Sequence, residues 1–236
     1  MSYKRPQLVS NEIYHVVSRA VGDTVVFEAE KDFYRGIFSI YEFNNKNPVN
    51  IWERRRERAV EKRRFGLTSL TSQERDMFVE VLAFSFMPNH LHLLLRQLKD
   101  SGITQFMKKV NGGYAKYFND KYNRKGHLFS RFRVVHIKTD EQLKNTFTYV
   151  HTNLISLIEP GWKERGVKNP QKVIKFLESN NRHSYLDYLG KKNFPYVTQR
   201  DFLLEEMGGV EGCREAVENW IMYKKKIKDF DDAIFE

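Results

Sequence analysis

Cysteine is almost missing from this chain. Cys213 is the only one in 236 residues, so no disulfide can form within it, and its thiol reads as structural in a reducing compartment. Long apolar runs are also missing: none approaches the ~20 residues of a membrane span, and the N-terminus has no apolar signal-peptide core. The expectation is a soluble, cytoplasmic protein with no membrane partner. Internal repeats and low-complexity tracts are absent. Acid is in deficit, with 30 Asp+Glu against 40 Lys+Arg and a formal net charge of +10. That excess points to a polyanionic partner, nucleic acid before membrane surface, with a merely solvated basic surface as the alternative. What is abundant is core material: 41% hydrophobic and 14% aromatic residues suffice for a substantial folded domain.

One stretch organises the rest: Met87-Pro88-Asn89-His90-Leu91-His92-Leu93-Leu94-Leu95-Arg96. The period of a strand sets His90, His92, Leu94 and Arg96 on one face and Leu91, Leu93 and Leu95 on the other. Imidazoles two residues apart on a strand project in parallel and can reach one metal ion, although such a pair also serves ordinary packing. Pro88-Asn89 is a turn signal.

Taken in order, Glu12 to Ala20 alternates as a first strand, and Lys31 to Phe43 carries Phe33, Ile37, Ile40 and Tyr41 at helical spacing. The charge-dense stretch from Trp52 to Arg64 reads as a helix with little apolar face. It is either a solvated helix held by its own opposite charges or a phosphate-contacting arm. Phe78 to Phe86 forms a hairpin with the His-x-His strand. A helix capped by Ser101 follows, with Ile103, Phe106, Met107, Val110, Tyr114, Tyr117 and Phe118 as its stripe. Leu128 to Ile137 returns as a strand carrying Arg131, Arg133 and His136. Thr139-Asp140-Glu141-Gln142 is a capping box opening a helix with Leu143, Phe147, Val150, Leu154 and Leu157 as its stripe, closed by Pro160-Gly161.

The first six elements give an α+β, ferredoxin-like split βαβ: an antiparallel sheet with helices on one face. Residues 1–160 form one domain with a basic insertion at about 44–76. Residues 161–236 form a helical C-terminal extension of short pieces over Gln171–Leu177, Thr198–Met207 and Gly212–Lys226.

In the helix after the last strand stands Tyr149-Val150-His151-Thr152-Asn153. At about 100° per residue Tyr149 and Asn153 share one face, flanking the apolar stripe. Beside the His-x-His strand, Asn153 supplies a third oxygen-type ligand and Tyr149 a hydroxyl one turn away. His151 points elsewhere.

These segments resemble the single-tyrosine transposases of the HUH endonuclease superfamily, most of all the REP-associated tyrosine transposases. Tyr14-His15-Val16-Val17-Ser18-Arg19 is similar to the group's first strand, and Met87 to Leu95 resembles its HUH motif. Gly126-His127-Leu128-Phe129-Ser130-Arg131-Phe132 is similar to its Gly-x-hydrophobic-Phe/Trp…Arg-Phe segment. Tyr149-Val150-His151-Thr152-Asn153 resembles its tyrosine helix, except that Leu154 stands where the family usually has Pro. The resemblance runs from about Glu12 to Leu157 and keeps family order.

It implies a metal-dependent single-stranded DNA endonuclease and strand transferase, with Tyr149 as nucleophile and a 5′-phosphotyrosine intermediate at a hairpin-associated site. His90 and His92 are then catalytic as well as metal ligands, with Asn153 as the third ligand for Mg²⁺ or Mn²⁺. Lys108, Lys109, Lys116, Arg131 and Arg133 are candidate DNA contacts. Tyr114 and Tyr117 are stacking platforms or, better, core. The partner is single-stranded DNA with a hairpin, met as a homodimer or a monomer. Competing readings are a non-catalytic, domesticated hairpin-DNA-binding protein, and a two-histidine phosphoesterase, which lacks its second His-x-Thr/Ser repeat here.

Overall fold

The computed structural model describes residues 5–65 and 75–224. Four strands, β1 (Ile13–Arg19), β2 (Val79–Met87), β3 (His90–Gln97) and β4 (Arg133–Ile137), form one antiparallel sheet in the order β2-β3-β1-β4. β1 and β2 both oppose β3, so they run the same way with β3 between them, the split βαβ expected from the sequence. α1 (Glu30–Phe43) and α3 (Gly102–Lys121) connect the strands across one face. α2 (Ile51–Phe65) follows α1, and α4 (Asp140–Thr152) follows β4.

Alternation in the strands builds a core on each side of the sheet. Tyr14, Val16, Leu91, Leu93, Leu95 and Val134 face α1 and α3, where Phe33, Ile40, Phe106 and Val110 meet them. The helices approach closely at Gly113, where an added Cβ would run into the Phe43 ring. Leu94 and Ile137 face the other way, with Leu143, Phe147, Val150 and Leu154 of α4. In β2 the register shifts between Val81 and Ala83, putting Leu82 and Ala83 together in this second core while Phe84 and Phe86 return to the first.

The extension completes the second core. α5 (Trp162–Arg165), α6 (Pro170–Leu177), α7 (Tyr185–Tyr188), α8 (Asp201–Met207) and α9 (Gly209–Lys224) bring Trp162, Val173, Leu177, Tyr188, Leu203 and Val217 onto it. Between α6 and α7 the backbone runs along the outer edge of β2. Phe86 N–H donates to Arg182 O at 2.8 Å and Ser184 N–H to Phe84 O at 3.0 Å. The sheet is thus covered on both faces: α1 and α3 on one, α4 and the extension on the other.

Three local expectations change. Ser101 precedes α3 with φ 59° and makes no side-chain cap; Gln97 Oε1 instead accepts from Ile103 N–H at 3.1 Å. β4 begins only at Arg133, because the chain over Leu128–Ser130 bonds instead to Arg19, the last residue of β1, and to Val21, two residues further on: Val21 N–H to Leu128 O, and Ser130 N–H to Arg19 O, both 2.9 Å. The α4 box forms with its return bond displaced by one residue, onto Lys138 N–H instead of Thr139 N–H. Thr139 Oγ1 accepts from Gln142 N–H at 3.2 Å, and Gln142 Oε1 from Lys138 N–H at 2.9 Å. Side chains at 58 and 61–64 of the basic stretch, residues 66–74 of the basic insertion and residues 225–236 of the extension lie outside the described ones. Among the described residues no helix is long and apolar enough to cross a membrane.

Candidate active site

The register of β1 and β3 sets the site. Val17 pairs with His92, Arg19 with His90 and His15 with Leu94, so these side chains share the α4 face of the sheet. Two residues, Pro88 and Asn89, turn the hairpin, and the turn is clamped. Pro88 O accepts from Val26 N–H at 2.7 Å, Asn89 O from Ala20 N–H at 2.8 Å, and Asn89 Nδ2 donates to Asp23 Oδ1 at 3.0 Å. Asn89 Oδ1 then lies 2.6 Å from His90 Nδ1, which fixes that ring and leaves Nε2 as its free end.

His92 is held from behind. Its Nδ1 shares a 3.0 Å hydrogen bond with His15 Nε2, and the two rings stack with centroids 5.2 Å apart. His92 Nε2 is buried without a protein partner. The His90 and His92 centroids are 4.9 Å apart. Burial, followed by Arg19 and Lys163, pushes His90 down to about 4. Burial, followed by Lys163, brings His15 to about 4. Burial and the neighbouring imidazoles carry His92 well below its ordinary value. All three are therefore neutral at pH 7, the form that coordinates metal.

From α4, Tyr149 stands edge-on to His92 and His15, with centroids 5.5 and 5.8 Å away. Asn153, the residue that ends α4, is 3% exposed, and its Nδ2 has no hydrogen-bond partner. Leu154 is fully buried in the second core, and the chain leaves as a 3₁₀ turn over Asn153–Leu157. His151 turns away as expected, its Nε2 2.8 Å from Ser184 Oγ.

His90, His92, Tyr149 and Asn153 line one cleft of about 630 Å³. Its charged lining is Arg19, Arg131, Arg133 and Lys163 against a single acid, Glu164, which makes it attractive to phosphate. No cluster of three His, Cys, Asp or Glu suited to a metal exists among the described residues. The donor set is two neutral imidazoles and an amide, and it fits a divalent cation: two of its polar atoms, His92 Nε2 and Asn153 Nδ2 (whose amide can turn its oxygen inward), are buried without a protein partner.

The structure brings together every sequence-predicted metal ligand, the tyrosine, and Arg131 and Arg133. It does not bring in the lysines. Lys108 and Lys116 are exposed on α3, across the sheet from the cleft. Lys109 is corrected: its ammonium donates to the carbonyls of Asn45 and Asn47, the latter at 3.0 Å, so it clamps the turn after α1 instead of facing a ligand. Tyr114 is 1% exposed, and Tyr117 donates to Asp32 Oδ1 at 2.8 Å, so both are packing residues.

Sequence reasoning missed Arg19, which lines the cleft from the end of β1, and with it His15 and Lys163. His15 had a visible signal, alternating with Val17 and Arg19, but its partner emerges only from the β1–β3 register. Lys163, which donates to Tyr149 Oη at 3.1 Å, carried no sequence signal.

The family model described as "Transposase IS200 like" matches residues 47–153, from the loop before α2 to the end of α4. Comparison with curated proteins finds no match. Among solved structures, the chain is similar to the REP-associated tyrosine transposase bound to a REP hairpin: 13% identity, TM-score 0.47, covering 85% of this chain and 93% of that one. It is also similar to a putative transposase from Deinococcus radiodurans, at 17% identity and TM-score 0.32, covering 61% of this chain and 93% of the other. A bacterial tRNA(His) guanylyltransferase-like protein in complex with GTP aligns at 11% identity and TM-score 0.37, covering 66% and 69%.

Proposed function

Starting from an IS200-like transposase segment at residues 47–153, we propose that this chain is a single-tyrosine transposase that nicks and joins single-stranded DNA beside a hairpin. The observation that carries this reading is the shared cleft: Tyr149, His90, His92 and Asn153 of one chain, rimmed by Arg19, Arg131 and Arg133. A binding module has no need of buried, unpartnered imidazole and amide groups next to a tyrosine hydroxyl.

In this reading the arginines hold the DNA strand by its phosphates. Tyr149 Oη attacks one phosphorus; the Oη–P bond forms, the P–O3′ bond breaks, and the 5′ side remains on Tyr149 while the 3′ end leaves as a hydroxyl. The phosphotyrosine conserves the bond energy, so a 3′-hydroxyl can attack it in reverse without a nucleotide cofactor. A divalent ion, Mg²⁺ or Mn²⁺, held by His90, His92 and Asn153 would draw charge from the non-bridging phosphate oxygens. His15 and Asn89 orient the two rings from behind.

The test is incubation with single-stranded hairpin DNA and Mn²⁺, followed by a denaturing gel. A covalent protein–DNA species that disappears in Tyr149→Phe and with chelator is the expected result. DNA binding that survives His90→Ala, with no adduct on any hairpin, would replace this reading with a non-catalytic hairpin binder.

A further inference from the structure

We infer that Lys163, supplied by the extension, is a catalytic residue that holds the Tyr149 oxygen and compensates its negative charge in both nicking and joining. This rests on the reading of Tyr149 as nucleophile. Lys163 lies outside the matched segment 47–153, so the activity requires a part of the chain that the family match does not reach.

Its Nζ is 3.1 Å from Tyr149 Oη and 4.9 Å from the ring centroid. The backbone that carries it is braced on each side. Gly161 sits at φ 76°, where a side chain would be strained, and a Cβ there would meet the Arg165 guanidinium. Arg165 Nη2 donates to Pro160 O at 2.5 Å. Trp162 is 2% exposed in the second core. The Glu159 carboxylate accepts from Lys168 N–H at 2.8 Å and Asn169 N–H at 3.1 Å, closing the loop around α5. Such bracing is more than an idle surface lysine requires, and among the described residues Lys163 has no carboxylate partner.

An ammonium that donates to a phenol oxygen turns the phenol's own proton outward and leaves a lone pair for attack. On nicking, that proton passes to water, the Oη–P bond forms, the P–O3′ bond breaks, and O3′ takes a proton from water. On joining, the incoming 3′-hydroxyl loses its proton to water and displaces Oη, which departs beside the same cation and is reprotonated from water. Lys163 keeps its protons throughout and acts through its charge.

The test compares Lys163→Met and Lys163→Arg with the full-length wild type at saturating hairpin DNA and Mn²⁺. Met is expected to slow adduct formation by about 10²-fold with unchanged thermal unfolding, and Arg to recover most of the rate, a rescue that a packing role would not give. Adduct formation by the Met variant at the wild-type rate would overturn the inference. A second arm needs no DNA: the ¹³Cζ resonance of Tyr149, assigned by its loss in Tyr149→Phe, should move in Lys163→Met. An unmoved resonance overturns the pairing, whereas a moved resonance in a protein that forms no adduct sustains the pairing and rejects only the nuclease reading.

Discussion

His15 never meets the cleft, yet the orientation of His92 depends on it. With the 3.0 Å bond to His92 Nδ1 removed, nothing fixes which nitrogen of His92 carries the proton, and the ring is free to turn. Partners of this kind are typically worth about 10- to 100-fold in metal affinity. His15→Ala is therefore expected to weaken Mn²⁺ binding by about that factor, measured by titration of the free ion's EPR signal, with folding retained. Unchanged affinity would mean that His92 is held by packing alone. The residue scale also marks how far the sequence could be read. His90, His92, Tyr149 and Asn153 were legible because each has a fixed spacing within one element, period two on β3 and four on α4. His15 and Lys163 were not, because each becomes a neighbour only when separate elements meet: His15 through the β1–β3 register, Lys163 through a left-handed glycine turn far along the chain. Lys109 shows the opposite failure. A lysine on a helix looks available until a neighbouring turn offers it carbonyls.

At the scale of elements, strand and helix periodicity gave the order of β1 to β4 and the helices between them, and chemistry local to the Thr139 box gave the start of α4. The β2 bulge was hidden, since every residue from Val81 to Met87 is buried and an apolar run carries no parity. Hidden too was the destination of the extension, because its short helices look separable in sequence. In space, Ser184 joins them to the sheet: its Oγ accepts from Phe84 N–H at 3.0 Å and pairs with His151 Nε2 at 2.8 Å. All of this is fully buried, so Ser184→Ala leaves two polar groups unpaired and should cost about 2 to 4 kcal/mol, read as a lower urea midpoint with unchanged slope. A midpoint within error of wild type would mean that the 182–184 backbone bonds alone secure the edge. That edge matters because an exposed outer strand invites pairing with another chain, and here the protein's own backbone occupies it.

For the whole molecule, the question is whether one chain makes one site. The β2 edge is occupied by residues 182–184, and Tyr149 lies against His92 of the same chain with centroids 5.5 Å apart. Nothing in this geometry needs a second protomer to bring the phenol to the imidazoles. A site assembled across two chains would behave differently under mixing: a protomer with intact histidines and no tyrosine could complement one with an intact tyrosine and no histidines. Tyr149→Phe and His90→Ala/His92→Ala are each expected to form no adduct, and their equimolar mixture, incubated long enough for subunits to exchange, is expected to form none either. Recovery of adduct in the mixture would show that the tyrosine helix serves a partner in solution, and that the arrangement of α4 against its own sheet is a resting state. The charge distribution gives the same experiment its conditions. With a net charge of +10 and a cleft lined by four cations against one acid, each phosphate contact of a bound strand would release counterions, so DNA affinity is expected to fall steeply as salt rises. The mixture must therefore be tested at low ionic strength, where a silent result reflects the site and not lost binding.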